Sequence, residues 1–248
     1  FVSIDDNEQG NLKLLMDEIF WGNNFVNNVI WQKKFSPQND ARYFSDMHDF
    51  VVCYARKKEN WKRNLLSRTE AANARYKNPD NDPRGVWTSG DLSVKTYNAN
   101  TDYPIQAPSG RIVNPPSGYC WRYSKEKFEE MKRDNRIWFG AGWDNVPRIK
   151  RFLDEVQDGT VPVTLWLRDE VGDNQEAKQI LKAIFSGEKE FPFDTPKPPR
   201  LIEKIIQIAS NPWDIILDSF AGSGTTAHAV LNQWGDRKFI LVEMEEYA

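Results

Sequence analysis

The sequence predicts an α/β protein: a doubly wound core whose halves stand in permuted order, with an α+β segment inserted between them. Three observations carry this. Near the C-terminus an apolar run, Ile215-Ile216-Leu217, leads into Asp218-Ser219-Phe220-Ala221-Gly222-Ser223-Gly224-Thr225-Thr226. An apolar-periodic segment follows (Ala227, Ala229, Val230, Leu231). Strand, glycine turn and helix in that order make a nucleotide-cofactor cradle. A sheet built around such a cradle needs more than two strands, so its remaining strands come from residues 1–56, ahead of the cradle. Between about Glu59 and Asp194 the composition shifts to clustered turn residues, Asn78-Pro79-Asp80-Asn81-Asp82-Pro83 and Asn114-Pro115-Pro116-Ser117-Gly118.

The elements follow in order. Phe1 to Ile4 alternates as a short strand and ends in Asp5-Asp6. Asp6 or Asn7 is placed to cap a helix with Leu12, Leu15, Met16, Ile19 and Phe20 at helical spacing. Strands are expected over Phe25 to Trp31 and Phe50 to Ala55, joined by a polar loop that holds Lys33, Lys34 and Arg42. The inserted segment is expected to hold strands over Arg136 to Phe139 and Val161 to Leu167. It also holds a helix capped by Ser124 that packs Phe128 and Met131, and a helix from about Asn174 to Phe185. Asp173 and Glu176 form a capping pair for this last helix, and Gly187 stops it. After Thr195-Pro196-Lys197-Pro198-Pro199 a helix buries Leu201, Ile202, Ile205 and Ile206, its prolines suited to a helix start. The boundaries read 1–58 for the first part of the core, 59–194 for the insertion and 195–248 for the cofactor-binding part.

The glycine loop admits three ligands. A phosphate-gripping P-loop needs Lys after its last glycine, where Thr225 stands, and is set aside. A dinucleotide site fits the loose pattern Gly222-Ser-Gly224-Thr-Thr-Ala227, with Glu243 twenty-one residues beyond Gly222. S-adenosylmethionine favours an acid at the strand's end to meet its cationic amino-acid moiety, and Asp218 is that acid. Glu243 closes a strand over Phe239 to Val242 and accepts from ribose hydroxyls under either of the last two readings.

The formal net charge of −3 excludes a uniformly basic nucleic-acid binder. The charge is uneven, however: Trp31 to Lys77 holds eleven Lys and Arg against five Asp and Glu, whereas residues 150–195 hold six against ten. The basic stretch suits either a phosphate-contacting face or a solvated surface. Trp31, Trp61 and Trp87 lie near it, where stacking on bases is conceivable. Cys53 and Cys120 have no metal spacing and read as reduced and structural, which suits a cytoplasmic protein. No metal pattern, signal peptide or membrane-length apolar run is visible.

These residues resemble the β group of DNA adenine-N6 methyltransferases, most closely the modification subunit of type III restriction–modification systems. Four stretches carry the likeness. Phe1 to Glu8 is similar to the family's strand after its catalytic motif. Trp31-Gln-Lys33-Lys34 with Asn39-Asp40 and His48-Asp49 is similar to its core hairpin. Lys197-Pro198 with Leu201 resembles its Lys-Pro motif, and Asp218 to Thr226 its cofactor loop. The resemblance implies a permuted Rossmann-like, S-adenosylmethionine-dependent methyltransferase core with an inserted α+β target-recognition domain. It implies that Phe220, Gly222, Ser223 and Gly224 line the methionine and ribose parts of S-adenosylmethionine. Asp218 then meets the amino group, Glu243 the ribose, and Lys197 beside Pro198 the carboxylate; Asp5 lies near the same cleft. Lys33, Lys34 and Arg42 are the expected DNA contacts.

The implied partners are double-stranded DNA, a second copy of the chain, and a restriction subunit with helicase and nuclease functions; no membrane is implied. The family's Asp-Pro-Pro-Tyr is absent. Asn114-Pro115-Pro116-Ser117 does not replace it, because Ser stands where the stacking ring belongs. The motif is expected ahead of Phe1, which would make the chain a piece of a longer protein and inactive alone. Two other classes remain open: a nicotinamide- or flavin-dependent oxidoreductase using the same loop, and a non-enzymatic DNA-binding module.

Overall fold

A computed structural model describes residues 1–186, 193–233 and 235–244. The chain forms two compact units: Phe1–Leu66 with Val161–Ala248, and Ser67–Thr160. The inserted unit is therefore narrower than residues 59–194. Residues 161–186 and 193–194 fold with the first unit, for reasons that lie in its sheet.

In the first unit, β1 (Val2–Ile4) precedes α1 (Gln9–Phe20), β2 (Phe25–Gln32) and β3 (His48–Tyr54). The N-cap of α1 is Glu8, with no side-chain cap. Neither Asp6 nor Asn7 serves, since Asn7 donates through its backbone and side chain to the Asp5 carboxylate at 3.1 and 3.0 Å. Met16 is the buried contact of α1, while Leu15 and Ile19 stay exposed. β3 pairs antiparallel with both β1 and β2. As a central strand it is covered on both faces, so Val51, Val52 and Cys53 are buried in succession rather than alternately. Burial pushes the Cys53 thiol up to about 11, which keeps it protonated.

The inserted unit starts with α2 (Glu70–Asn73) and runs through β4 (Trp87–Asp91), β5 (Ser93–Val94), β6 (Ile105–Gln106), β7 (Ile112–Val113), β8 (Cys120–Trp121), α3 (Lys125–Arg133), β9 (Ile137–Trp138) and β10 (Arg148–Phe152). Its largest sheet has the order β4-β10-β9, and β5-β8 and β6-β7 are separate pairs. Ser124 caps α3 by accepting from the Lys127 N–H, and Phe128 and Met131 enter a core with Leu92, Trp121, Phe139 and Ile149. Lys150, on β10, is wholly buried and bridges Asp80 and Asp82.

The chain returns to the first unit with β11 (Leu165–Trp166), α4 (Arg168–Val171), α5 (Asn174–Ile184), α6 (Pro199–Ala209), β12 (Ile215–Asp218), α7 (Thr225–Asn232) and β13 (Lys238–Leu241). The strand expected over Val161 to Leu167 shrinks to β11. It pairs parallel with β2, Trp166 opposite Trp31, which completes a sheet of order β1-β3-β2-β11. Trp31 is fully buried and donates its indole N–H to the Gly172 carbonyl at 2.9 Å. These contacts draw β11, α4 and the start of α5 to the core. Asp173 caps α5 as expected, accepting from the Glu176 N–H at 2.9 Å; Gly187 lies outside the described residues.

β12 and β13 are parallel, with Asp218 opposite Leu241. They form a sheet of their own, sharing no ladder with the four-stranded sheet among the described residues. Helix α6 stands between the two cores. Leu201 and Ile208 enter the core around Trp31 and Val51, and Ile206 packs with Ala229 and Val230 of α7. Its apolar stripe thus serves two sheets. No described helix is long and apolar enough to cross a membrane.

Candidate functional site

The parallel β12–α7–β13 unit brings two carboxylates to one end of its sheet, with the glycine loop between them. Asp218 ends β12. One of its oxygens accepts from the Phe220 N–H at 3.1 Å and the other from the Thr226 hydroxyl at 2.5 Å. Glu243 lies two residues beyond β13. Its carboxylate accepts from the Gly222 N–H at 2.7 Å and from the Met244 N–H at 2.9 Å. These two backbone donors, Gly222 foremost, hold its pKa below the ordinary glutamate value. Each ionised carboxylate has about four acceptor positions. The loop therefore orients both acids and leaves capacity for a ligand's ammonium or hydroxyl groups.

Backbone geometry fixes the loop. Gly222 and Gly224 have φ of 50° and 71°, the left-handed region that disfavours side chains. A Cβ on Gly222 would come within 2.9 Å of the Phe193 ring, whereas one on Gly224 would meet no atom within 4 Å. Gly224 thus holds its turn beside open space, where a ligand can approach the backbone. It is the N-cap of α7, whose first turn adds the positive end of the helix dipole. Phe220 is 80% exposed, so its ring is available to a ligand.

Lys197 and Pro198 join this loop. The Lys197 carbonyl accepts from the Thr225 hydroxyl at 3.1 Å, and its ammonium lies 5.9 Å from the centre of the Trp31 ring. Pro198 is buried at the N-cap of α6. Ser223 shares a hydrogen bond with Thr225 at 2.9 Å. Of the expected cofactor residues, Lys197, Pro198, Asp218, Phe220, Gly222, Ser223, Gly224 and Glu243 therefore come together. Asp5 does not join this network: it is exposed and both its oxygens face Asn7.

The sequence did not point to α5 at this place. A cleft of about 160 Å³ beside the loop is lined by Leu181, Ile184 and Phe185 together with Lys197, Ser223 and His228. The helix was legible from its cap and apolar spacing, but nothing local gave its address.

The expected DNA contacts divide. Lys33 is buried, with Asp46 at 2.6 Å and Asp49 at 2.7 Å. Burial lowers its pKa, but the hydrogen bonds to Asp46 and Asp49 outweigh that and hold it above the ordinary lysine value. Its charge is spent inside the fold. Lys34 and Arg42 are on the β2–β3 connection. Arg42 is exposed, its guanidinium 5.3 Å from the centre of the Tyr43 ring, and Lys34 lines a cleft of about 580 Å³ with Lys178 and Lys182 of α5. Asn114 to Ser117 follows the two-residue β7 inside the Ser67–Thr160 unit.

A family model described as DNA methylase, of the N6/N4 type, matches residues 1–248. The chain is 34% identical over 253 residues to the Mod subunit of the type III restriction-modification enzyme StyLTI of Salmonella typhimurium, covering 99% of this chain and 37% of that protein. It is 31% identical over 270 residues to the type II methyltransferase M.KpnI of Klebsiella pneumoniae, covering 98% of this chain and 61% of that protein. Among solved structures it is similar to the M1.HpyAVI–SAM complex, at 19% identity and a TM-score of 0.38, covering 99% of this chain and 68% of that one. The chain thus spans less than two thirds of the length of each of these two curated relatives.

Proposed function

Because the chain belongs to the DNA methylase family of the N6/N4 type, we propose that it is part of a site-specific methyltransferase that modifies adenine N6 in double-stranded DNA within a restriction–modification system. The observation that carries the cofactor half of this reading is the Gly222–Glu243 hydrogen bond of 2.7 Å. It holds the loop against an acid while Asp218 stands at the other side of the turn.

S-adenosylmethionine supplies the transferable methyl group on a sulfonium centre. Asp218 pairs with its ammonium and Lys197 with its carboxylate, so the amino-acid end is held by opposite charges. Glu243 accepts from ribose hydroxyls. Gly222 and Gly224 let the backbone approach, and Ser223 and Phe220 line the wall. Positioning of this kind accounts for a large share of catalysis when two reactants must meet in line. The groups that hold the flipped adenine belong to the family's Asp-Pro-Pro-Tyr motif, which residues 1–248 do not contain. Methyl transfer is therefore assigned to the full-length protein, and the 248-residue chain alone is expected to be inactive. Lys34 and Arg42 contact phosphates. The resemblance to type III Mod subunits supports a restriction subunit as a partner.

Calorimetry with S-adenosylhomocysteine and with NAD tests the cofactor. Binding of the first alone supports the reading, and binding of NAD alone replaces it with an oxidoreductase. Labelled methyl recovered on adenine N6 of duplex DNA with the full-length protein tests the reaction. Duplex binding with no cofactor response would leave a DNA-binding module.

A further inference from the structure

The Ser67–Thr160 unit carries a polar cleft of about 360 Å³ whose lining includes Asp91, Ser93, Arg111, Asn145 and Arg148. The cations of this unit differ in how they are held. Lys150 is fully buried between two aspartates. Arg84 and Arg136 are under 30% exposed and pair with Asp82, Asp134 and Glu155. Arg111 and Arg148 are about half exposed, at 52% and 46%, and each is held by a single acidic residue. Arg148 reaches Asp91, its direct cross-strand partner, at 2.9 Å. Arg111 donates to the Asp144 backbone carbonyl at 2.9 Å with the Asp144 carboxylate 3.8 Å away. That carboxylate in turn accepts from the Ser109 hydroxyl at 2.5 Å.

The loop that carries Asp144 is fixed. Asn145 donates its N–H to Phe139 at 2.8 Å, and Trp143 donates to Gly140 at 3.0 Å while held at φ 57°. A bulky residue in the left-handed region is a strained conformation that the surroundings must impose.

The acids decide what such a cleft suits. Beside a phosphate, Asp91 and Asp144 would repel the ligand and cancel the arginines' charge. Beside a base edge, the Asp91 carboxylate and the Asp144 carbonyl each orient a guanidinium fork, whose geometry matches O6 and N7 of guanine. We propose that Arg111 and Arg148 read guanines in the major groove of the DNA substrate, with Asp91 and Asp144 as positioning residues. This rests on the DNA methyltransferase reading.

Selection from a random duplex pool by the full-length protein, with S-adenosylhomocysteine present, tests it. The wild type is expected to enrich one sequence. R111K and R148K keep the charge but lose the fork, and each is expected to lose preference at one G·C pair by roughly ten- to a hundredfold. Affinity for unselected DNA, its salt dependence and the melting temperature stay unchanged. D91N is expected to relax the same base position as R148K, which a merely structural role would not do. Undiminished wild-type preference in both lysine variants overturns the proposal. So does a loss that is equal for every sequence, which marks a backbone contact. A wild type that enriches nothing and methylates nothing removes the methyltransferase reading itself.

Discussion

The Gly222 backbone N–H donates to the Glu243 carboxylate at 2.7 Å, which closes the glycine loop onto the end of the neighbouring strand. Glu243 therefore has two tasks, to hold the loop and to receive a ligand's hydroxyls. E243Q keeps one carbonyl acceptor and is expected to bind S-adenosylhomocysteine more weakly, and E243A more weakly still. The folded pKa of Glu243 is depressed, so its contribution is present above the ordinary carboxyl value and is lost as pH falls through the lower folded value. Calorimetry against pH should show wild-type affinity falling on the acid side, with that dependence reduced in E243Q.

Gly222 and Gly224 should respond differently to alanine. Both sit at positive φ, which costs an L-residue about 1–2 kcal/mol. Only at Gly222 does the added Cβ also meet the Phe193 ring, at 2.9 Å. G222A is expected to lower the melting temperature more than G224A. G224A instead places its methyl in the open space beside the turn and is expected to act mainly on cofactor affinity. Equal melting shifts would contradict this.

Lys150 is buried between Asp80 and Asp82. Removing it takes the cation from Asp80, while Asp82 keeps Arg84, and breaking a buried pair in this way costs about 3–5 kcal/mol. K150M should therefore destabilise the inserted unit strongly, and D80N/K150M, which leaves the Asp82–Arg84 pair intact, should recover part of the loss. The folded pKa of Asp82 is held down, first by Arg84 with Lys150 adding to it. For Asp80, burial raises the pKa, but Lys150 outweighs it and the net shift is downward. Their stabilisation is present above a pH of about 4 and disappears as pH falls through the folded values. Denaturant titrations at neutral and acid pH should show the K150M penalty shrinking in acid.

Salt dependence separates the three basic residues of the β2–β3 connection. Each phosphate contact contributes about 0.9 to the slope of log affinity against log salt. K34A and R42A are expected to lower that slope in the full-length protein. K33M is expected to leave it unchanged and to reduce stability, because Lys33 is already neutralised by Asp46 and Asp49.

The glycine loop, its two acids and most helix caps were legible because their hydrogen bonds close over short stretches of chain. Asp173 caps α5 through a residue three positions away. Asp218 binds Phe220 and Thr226, two and eight positions on. The role of Lys33 was not legible. Its pattern is that of an exposed basic loop, and only the return of the chain at Asp46 and Asp49 shows that its charge is consumed. The exposed Leu15 and Ile19 of α1 make the same point, since periodicity locates an apolar face without naming what covers it.

By itself, the sequence determined a β-α-β cradle with Asp218 before the turn and Glu243 after it, and a permuted order of core and insertion. Local backbone geometry and short-range hydrogen bonds are sufficient for that. Tertiary structure decided where the insertion ends, which side of that boundary α5 lies on, and that among the described residues β12 and β13 share no ladder with the strands of residues 1–54. Those outcomes depend on contacts such as Trp31 with Gly172, 141 residues apart. A buried indole must find an acceptor somewhere, and the order of residues along the chain does not say where.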